Sequence, residues 1–192
     1  MGKFVALVLA GLVGLSTASA NTESFVDVNA LQANLYAQAH TMGLDWKVGD
    51  KADYKLTMGG FIKGTSKNSI RELVGPSAWM VQDMDLGVMG KQKMEILLNL
   101  STGQIEKLLV NGKEQEIPDA GNMEIVEQKQ ANITVAAGTF DCIYIKIKTD
   151  QGMQEAWINP QAVPMGGNLK TLADSQLGKV TQELVSFVFA QR

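Results

Sequence analysis

Between residues 132 and 164 the chain alternates, and alternation leaves the backbone little choice. Ile143, Ile145 and Ile147 are interleaved with Tyr144, Lys146 and Lys148. A period of two places the isoleucines on one face of a strand; a helix has no such period. Gly138 breaks the run ahead of it, and Thr149-Asp150-Gln151-Gly152 supplies residues that reverse a hairpin. Three short extended segments joined by two turns are therefore expected. The opposite parity starts apolar (Phe140, Cys142, Tyr144) and ends charged. Such a strand should be covered on both faces at one end and wet on one face at the other.

Strand texture extends well beyond this stretch. Tyr54 and Leu56 alternate with charges, and residues 69–74 and 78–86 read as extended around Gly75-Pro76-Ser77. Met80, Met84 and Leu86 share one parity, while Trp79, Val81, Asp83 and Asp85 share the other. Met94, Ile96, Leu98 and Leu100 line one face of residues 91–100, Ser101-Thr102-Gly103 turns the chain, and residues 104–110 return it. Asn111-Gly112 then marks a hairpin, since both positions tolerate the positive φ of a type I′ turn, and residues 113–117 make a further strand. Residues 169–177 fit a short helix or a strand. Residues 180–190 close the chain as a strand apolar on both parities, a pattern that suits a central strand or one covered by a helix.

The first twenty residues set the compartment. Lys3 precedes an apolar run from Phe4 to Leu15, and Ser16 to Ala20 ends in the small-residue pattern cut by signal peptidase. At about a dozen residues the run is shorter than the ~20 a comfortable span needs; an uncleaved anchor is the alternative reading. Residues 1–20 are thus expected to be a signal peptide removed after Ala20. Residues 21–192 should form a single β-rich domain exported to the periplasm. No cysteine follows the run, so a lipid-modified N-terminus is not expected. Val28, Leu31, Leu35 and Ala39 fall at helical spacing behind a potential N-cap, Asp27, predicting a helix over about 26–41. Hairpin-length loops and one early helix together predict a mainly β (α+β) fold. In it a strongly curved antiparallel sheet or open barrel carries the N-terminal helix on its concave face.

Candidate chemistry is sparse. The net charge of −3 with no basic block argues against nucleic acid. His40 is the one histidine and lies at the predicted helix end, so no triad or His-rich metal site can be assembled. Cys142, the one cysteine, can form no internal disulfide; it reads as a small buried hydrophobe rather than a reactive thiol. Asp83 and Asp85 form either an acid/base or cation-binding pair or, more simply, a solvated strand face. Asn99-Leu100-Ser101 and Asn132-Ile133-Thr134 match the glycosylation sequon, a match common by chance. No nucleophile elbow, phosphate loop, metal-ligand set or cofactor motif occurs, and no enzymatic activity is expected.

Methionine is what stands out, with ten in the chain. Unbranched and polarizable, methionine lines adaptable apolar cavities as readily as it fills cores. Two readings follow: an apolar pocket between sheet and helix for a lipid-like ligand, or an ordinary filled core. For the first, the expected ligand-binding residues are Met80, Met84, Met94, Ile96, Leu98 and Trp157, with Leu31 and Leu35 from the helix acting as a lid.

Val135-Ala136-Ala137-Gly138-Thr139-Phe140, then Trp157-Ile158-Asn159-Pro160, Val163-Pro164, Lys170 and Glu183-Leu184 form a pattern that resembles exported bacterial proteins of the lipoprotein-carrier (LolA/LolB-like) half-barrel fold. In these, "A-G-T-F" opens a strand, "W-x-x-P" ends the next and a late "E-L" strand closes the sheet. The resemblance implies an unclosed barrel around an apolar cavity with a helix across its mouth, and a periplasmic binding or carrier role. The partner would be a lipid or a lipidated protein, with no nucleic acid and no membrane-spanning segment after cleavage. The carrier's lipoprotein-contacting arginine has no counterpart, since Arg71 and Arg192 lie in no matching context. The alternative is a cell-envelope structural or interaction domain with a filled core and no small-molecule ligand.

Overall fold

The computed structural model describes residues 46–117, 123–149, 152–175 and 178–191. The expected signal peptide and the helix over 26–41 lie outside the described residues. Within them the chain forms one antiparallel sheet of eleven strands. In chain order these are β1 (Lys51–Met58), β2 (Ile62–Val74), β3 (Ser77–Asp85), β4 (Lys91–Asn99), β5 (Ile105–Val110), β6 (Lys113–Glu114), β7 (Met123–Val135), β8 (Gly138–Thr149), β9 (Gly152–Ile158), β10 (Asn168–Ala173) and β11 (Val180–Val188). A single 3-10 turn, Gly87–Met89, joins β3 to β4.

The strand order is β6-β5-β4-β3-β2-β1-β11-β10-β9-β8-β7, so β6 and β7 are the two edges, next to each other in sequence but at opposite ends of the sheet. Only residues 115–122 separate Glu114 from Met123. Eleven strands laid flat would hold their edges about 48 Å apart. Nine steps of extended chain reach only about 30 Å. Connectivity alone therefore forces the sheet to roll, and the result is a curved sheet that stays unclosed.

Rolling gives the sheet an inner face that is buried. Ala52, Tyr54, Leu56 and Met58 of β1, Ile70 of β2, Met80 of β3, Met94, Ile96 and Leu98 of β4, and Leu184 of β11 point to this side, each at most 3% exposed. Burying a side chain of this size stabilises by about 1.5–3 kcal/mol, so this face supplies much of the driving force for folding. One end is filled by the β9–β10 connection, whose Val163 and Met165 are buried, together with Trp46. The Asp50 carboxylate ties the same end together: it accepts from the backbone N–H of Lys47 at 3.0 Å and of Ala190 at 2.8 Å. The other end is rimmed by hairpin tips, where Phe61 is 74% and Val88 96% exposed.

β11, apolar on both parities, is a central strand as expected, with β1 on one side and β10 on the other. Its two faces are not equally covered, since Val185 and Val188 are exposed. The cause is a bulge. Asp53 pairs with Ser186 while Tyr54 pairs with Leu184, leaving Val185 as an extra residue. Past it the parity flips, so Leu184 and Phe187 both join the core side. Residues 113–117, expected as a full strand, form only the two-residue β6, and of the segment expected as a short helix or strand, residues 169–173 belong to the strand β10.

Candidate functional site

The inner face of β3 and β4 is the candidate site, and register assembles it. Ala78, Met80, Gln82 and Met84 lie opposite Leu98, Ile96, Met94 and Gln92, and Ile96 in turn lies opposite Leu108. Met80, Met84, Met94, Ile96 and Leu98 thus form one contiguous patch with exposures of 1, 7, 1, 1 and 0%. Leu31 and Leu35 lie outside the described residues. Trp157 is half-buried and packs against the core cluster that includes these residues. It pairs with Tyr144 and Lys170 on the face that also carries Glu183 and Lys55, the outer face of the sheet.

Sequence reasoning passed over the polar members of the inner face. Ser66, Asn68, Gln82 and Gln92 are 0, 4, 3 and 9% exposed. Gln82 Nε2 donates to Ser66 Oγ at 2.9 Å, and Ser66 Oγ donates to Asn68 Oδ1 at 2.9 Å. Gln82 Oε1 accepts nothing. The signal was present, because Gln82 shares the parity of Met80 and Met84. A second polar group, Thr171 and Asn168, is joined by a 3.0 Å hydrogen bond farther round the sheet. Between the two, Met58 extends the methionine surface at 1% exposure.

The outer face is charged and aromatic. Lys129, Tyr144, Trp157, Lys170, Glu183 and Lys55 form a row across six strands. The two rings are 5.0 Å apart, and each has an ammonium over it, Lys129 at 5.1 Å and Lys170 at 5.9 Å. Lys55 and Lys170 both pair with Glu183, at 2.7 and 3.8 Å. Burial pushes the Tyr144 phenol up to about 12, helped by its hydrogen bond to Glu155 and by the charges of Glu155 and Glu127. Farther along, Arg71 pairs with Glu95 and lies 5.0 Å from the Trp79 ring centre.

Asp83 and Asp85 are exposed on this outer face, opposite Lys93 and Lys91. Asp85 pairs with Lys91 at 3.6 Å and accepts from Gly87 N–H at 3.0 Å. With Thr65, Lys67 and Asn111 they border a polar groove of about 400 Å³. Both carboxylates have lysine neighbours, the arrangement of a solvated charge ladder. Cys142 is 4% exposed, and burial, with Asp141 beside it, pushes its thiol pKa up, which keeps it protonated and unreactive. His40 lies outside the described residues. Among the described residues no three His, Cys, Asp or Glu side chains gather to hold a metal ion, and no helix is long and apolar enough to cross a membrane.

No family model matches the chain, and no curated protein matches it in sequence. Solved structures of similar outline include the hypothetical protein CT021 from Chlamydia trachomatis, 10% identical over 78% of this chain and 91% of that one, with a TM-score of 0.49. MucB is 10% identical over 82% of this chain and 57% of its own, at 0.43, so the chain spans a little over half of MucB. A putative outer membrane lipoprotein-sorting protein domain from Vibrio parahaemolyticus is 11% identical over 80% and 90%, at 0.31. The weak resemblance to the lipoprotein-carrier fold, carried in the sequence by the C-terminal motifs, thus recurs among the structural neighbours. Likenesses this distant say nothing about what the chain binds.

Proposed function

We propose that this chain is a non-enzymatic binding or carrier domain of the periplasm, exported after cleavage behind Ala20, and that its inner face takes a lipid-like or other elongated apolar ligand. The observation that supports this reading is the inner face itself. Met58, Met80, Met84 and Met94 lie on one rolled, unclosed sheet beside buried polar groups. Methionine surfaces re-pack around ligands of differing shape, and a few fixed polar groups in an apolar site orient what enters.

The test is direct. The secreted full-length chain is purified without detergent, extracted with organic solvent and analysed by mass spectrometry, in parallel with titration by a fluorescent fatty-acid analogue. A co-purifying apolar compound near one per chain is the expected result. A blank extract together with no analogue binding would overturn the proposal.

A second reading has its own support. Met80, Met94, Ile96 and Leu98 are at most 1% exposed, the burial of a filled core. On that reading the chain is an envelope interaction domain whose partner is a protein, and the cost of truncating Met94 separates the two readings.

A further inference from the structure

Resting on the reading of the inner face as a ligand site, we infer that Gln82 is its polar recognition point, selecting an apolar ligand that carries a hydrogen-bond donor, a hydroxyl or an amide N–H. Gln82 sits mid-strand in β3 between Met80 and Met84, opposite Asn68 on one side and Met94 on the other. It is 3% exposed. The hydrogen-bond chain around it has a direction. Gln82 Nε2 donates to Ser66 Oγ, whose own proton goes to Asn68 Oδ1. Both links are thus oriented away from Gln82, and Oε1 is left as an acceptor without a donor.

Buried amide oxygens are almost always satisfied, and an orphan among methionines is costly. With Asn68 Oδ1 held as the acceptor of the Ser66 proton, turning the Gln82 amide over offers no relief. It would place Nε2 at the unpartnered position and present an acceptor to Ser66 Oγ, whose proton is already given to Asn68. The network therefore accepts one donor from outside itself. An ionised carboxylate has none to give, and a plain hydrocarbon leaves the orphan in place. An alcohol or an amide-linked chain completes the set.

The experiment compares 1-decanol with its methyl ether, ligands alike in length and apolar character but differing in the donor. Each displaces 1-N-phenylnaphthylamine from the full-length protein and from Gln82→Met. The substitution keeps an unbranched side chain of similar size on a face already rich in methionine. The wild type should bind the alcohol about tenfold more tightly than the ether, and Gln82→Met should bind the two equally.

Equal binding by the wild type overturns the inference while leaving the ligand site intact, and assigns Oε1 to an internal water. A preference that survives in Gln82→Met overturns it too, placing the donor elsewhere. Failure of probe, alcohol and ether alike to bind overturns the ligand site itself and the inference with it. The wild-type pair decides alone even where the variant fails to fold.

Discussion

Met94 and Gln82 face each other across the β3–β4 ladder, one at 1% and the other at 3% exposure. An apolar side chain and a half-satisfied amide thus share one buried patch. Their substitutions should move stability in opposite directions.

Met94→Ala separates a filled core from a hollow one. In a filled interior, loss of a buried methionine side chain costs about 2–5 kcal/mol, because neighbours relax only partly into the space. Where the neighbours can relax into the space, only the transfer cost remains and the loss should fall at the low end of that range, about 2 kcal/mol. Urea unfolding midpoints read the difference, with Val88→Ala at an exposed tip as a control expected within about 0.5 kcal/mol.

Gln82→Met should stabilise the unliganded protein by about 1 kcal/mol, since it removes a buried acceptor that has no donor. Ser66 keeps its bond to Asn68. A denaturant midpoint below that of the wild type would show that Oε1 is satisfied after all.

Gly167 and Gly60 share a positive φ, +75° and +81°, but not their surroundings. A Cβ on Gly167 would lie 2.3 Å from the backbone carbon of Asn159, whereas one on Gly60 meets nothing within 4 Å. Gly60→Ala should therefore cost only the left-handed backbone penalty, about 1 kcal/mol. Gly167→Ala must also displace the connection that buries Val163 and Met165, and should cost at least twice as much by thermal or urea unfolding.

Tyr144 supplies a signature at alkaline pH. Its folded value, about 12, lies above the ordinary phenol value of about 10, so ionisation is opposed by the fold. Its contribution to stability is complete below pH 10 and is lost as the pH rises toward 12. Ultraviolet difference titration of wild type against Tyr144→Phe should show a phenolate forming near pH 12. The variant should lose less stability than the wild type between pH 10 and 12.

Much of the fold was legible in single residues. Met80 alternating with Val81, and Met94 with Glu95, placed β3 and β4 and their inner face correctly, because side-chain parity in a strand is fixed by geometry. Asn111 and Gly112 carry φ values of 51° and 78°, the left-handed pair anticipated at the β5–β6 turn. Parity failed where the backbone slips. The bulge at Val185 made β11 look two-sided, and no local pattern announces a bulge whose partner, β1, lies over 120 residues away. Trp157 is set by the same parity: its neighbours Ala156 and Ile158 face inward, while it is half-buried and packs against the core cluster from the other parity. Gln82 was overlooked because its polarity masked a parity that its methionine neighbours had already set.

The short span between Glu114 and Met123 has a mechanical consequence. A sheet whose two margins are leashed by eight residues can breathe only within the length of that leash, so it cannot flatten without breaking strands from its edges. On the proposed ligand reading, the end filled by Val163 and Met165 is barred, which leaves the end whose hairpin tips carry Phe61 and Val88 and the gap between β6 and β7.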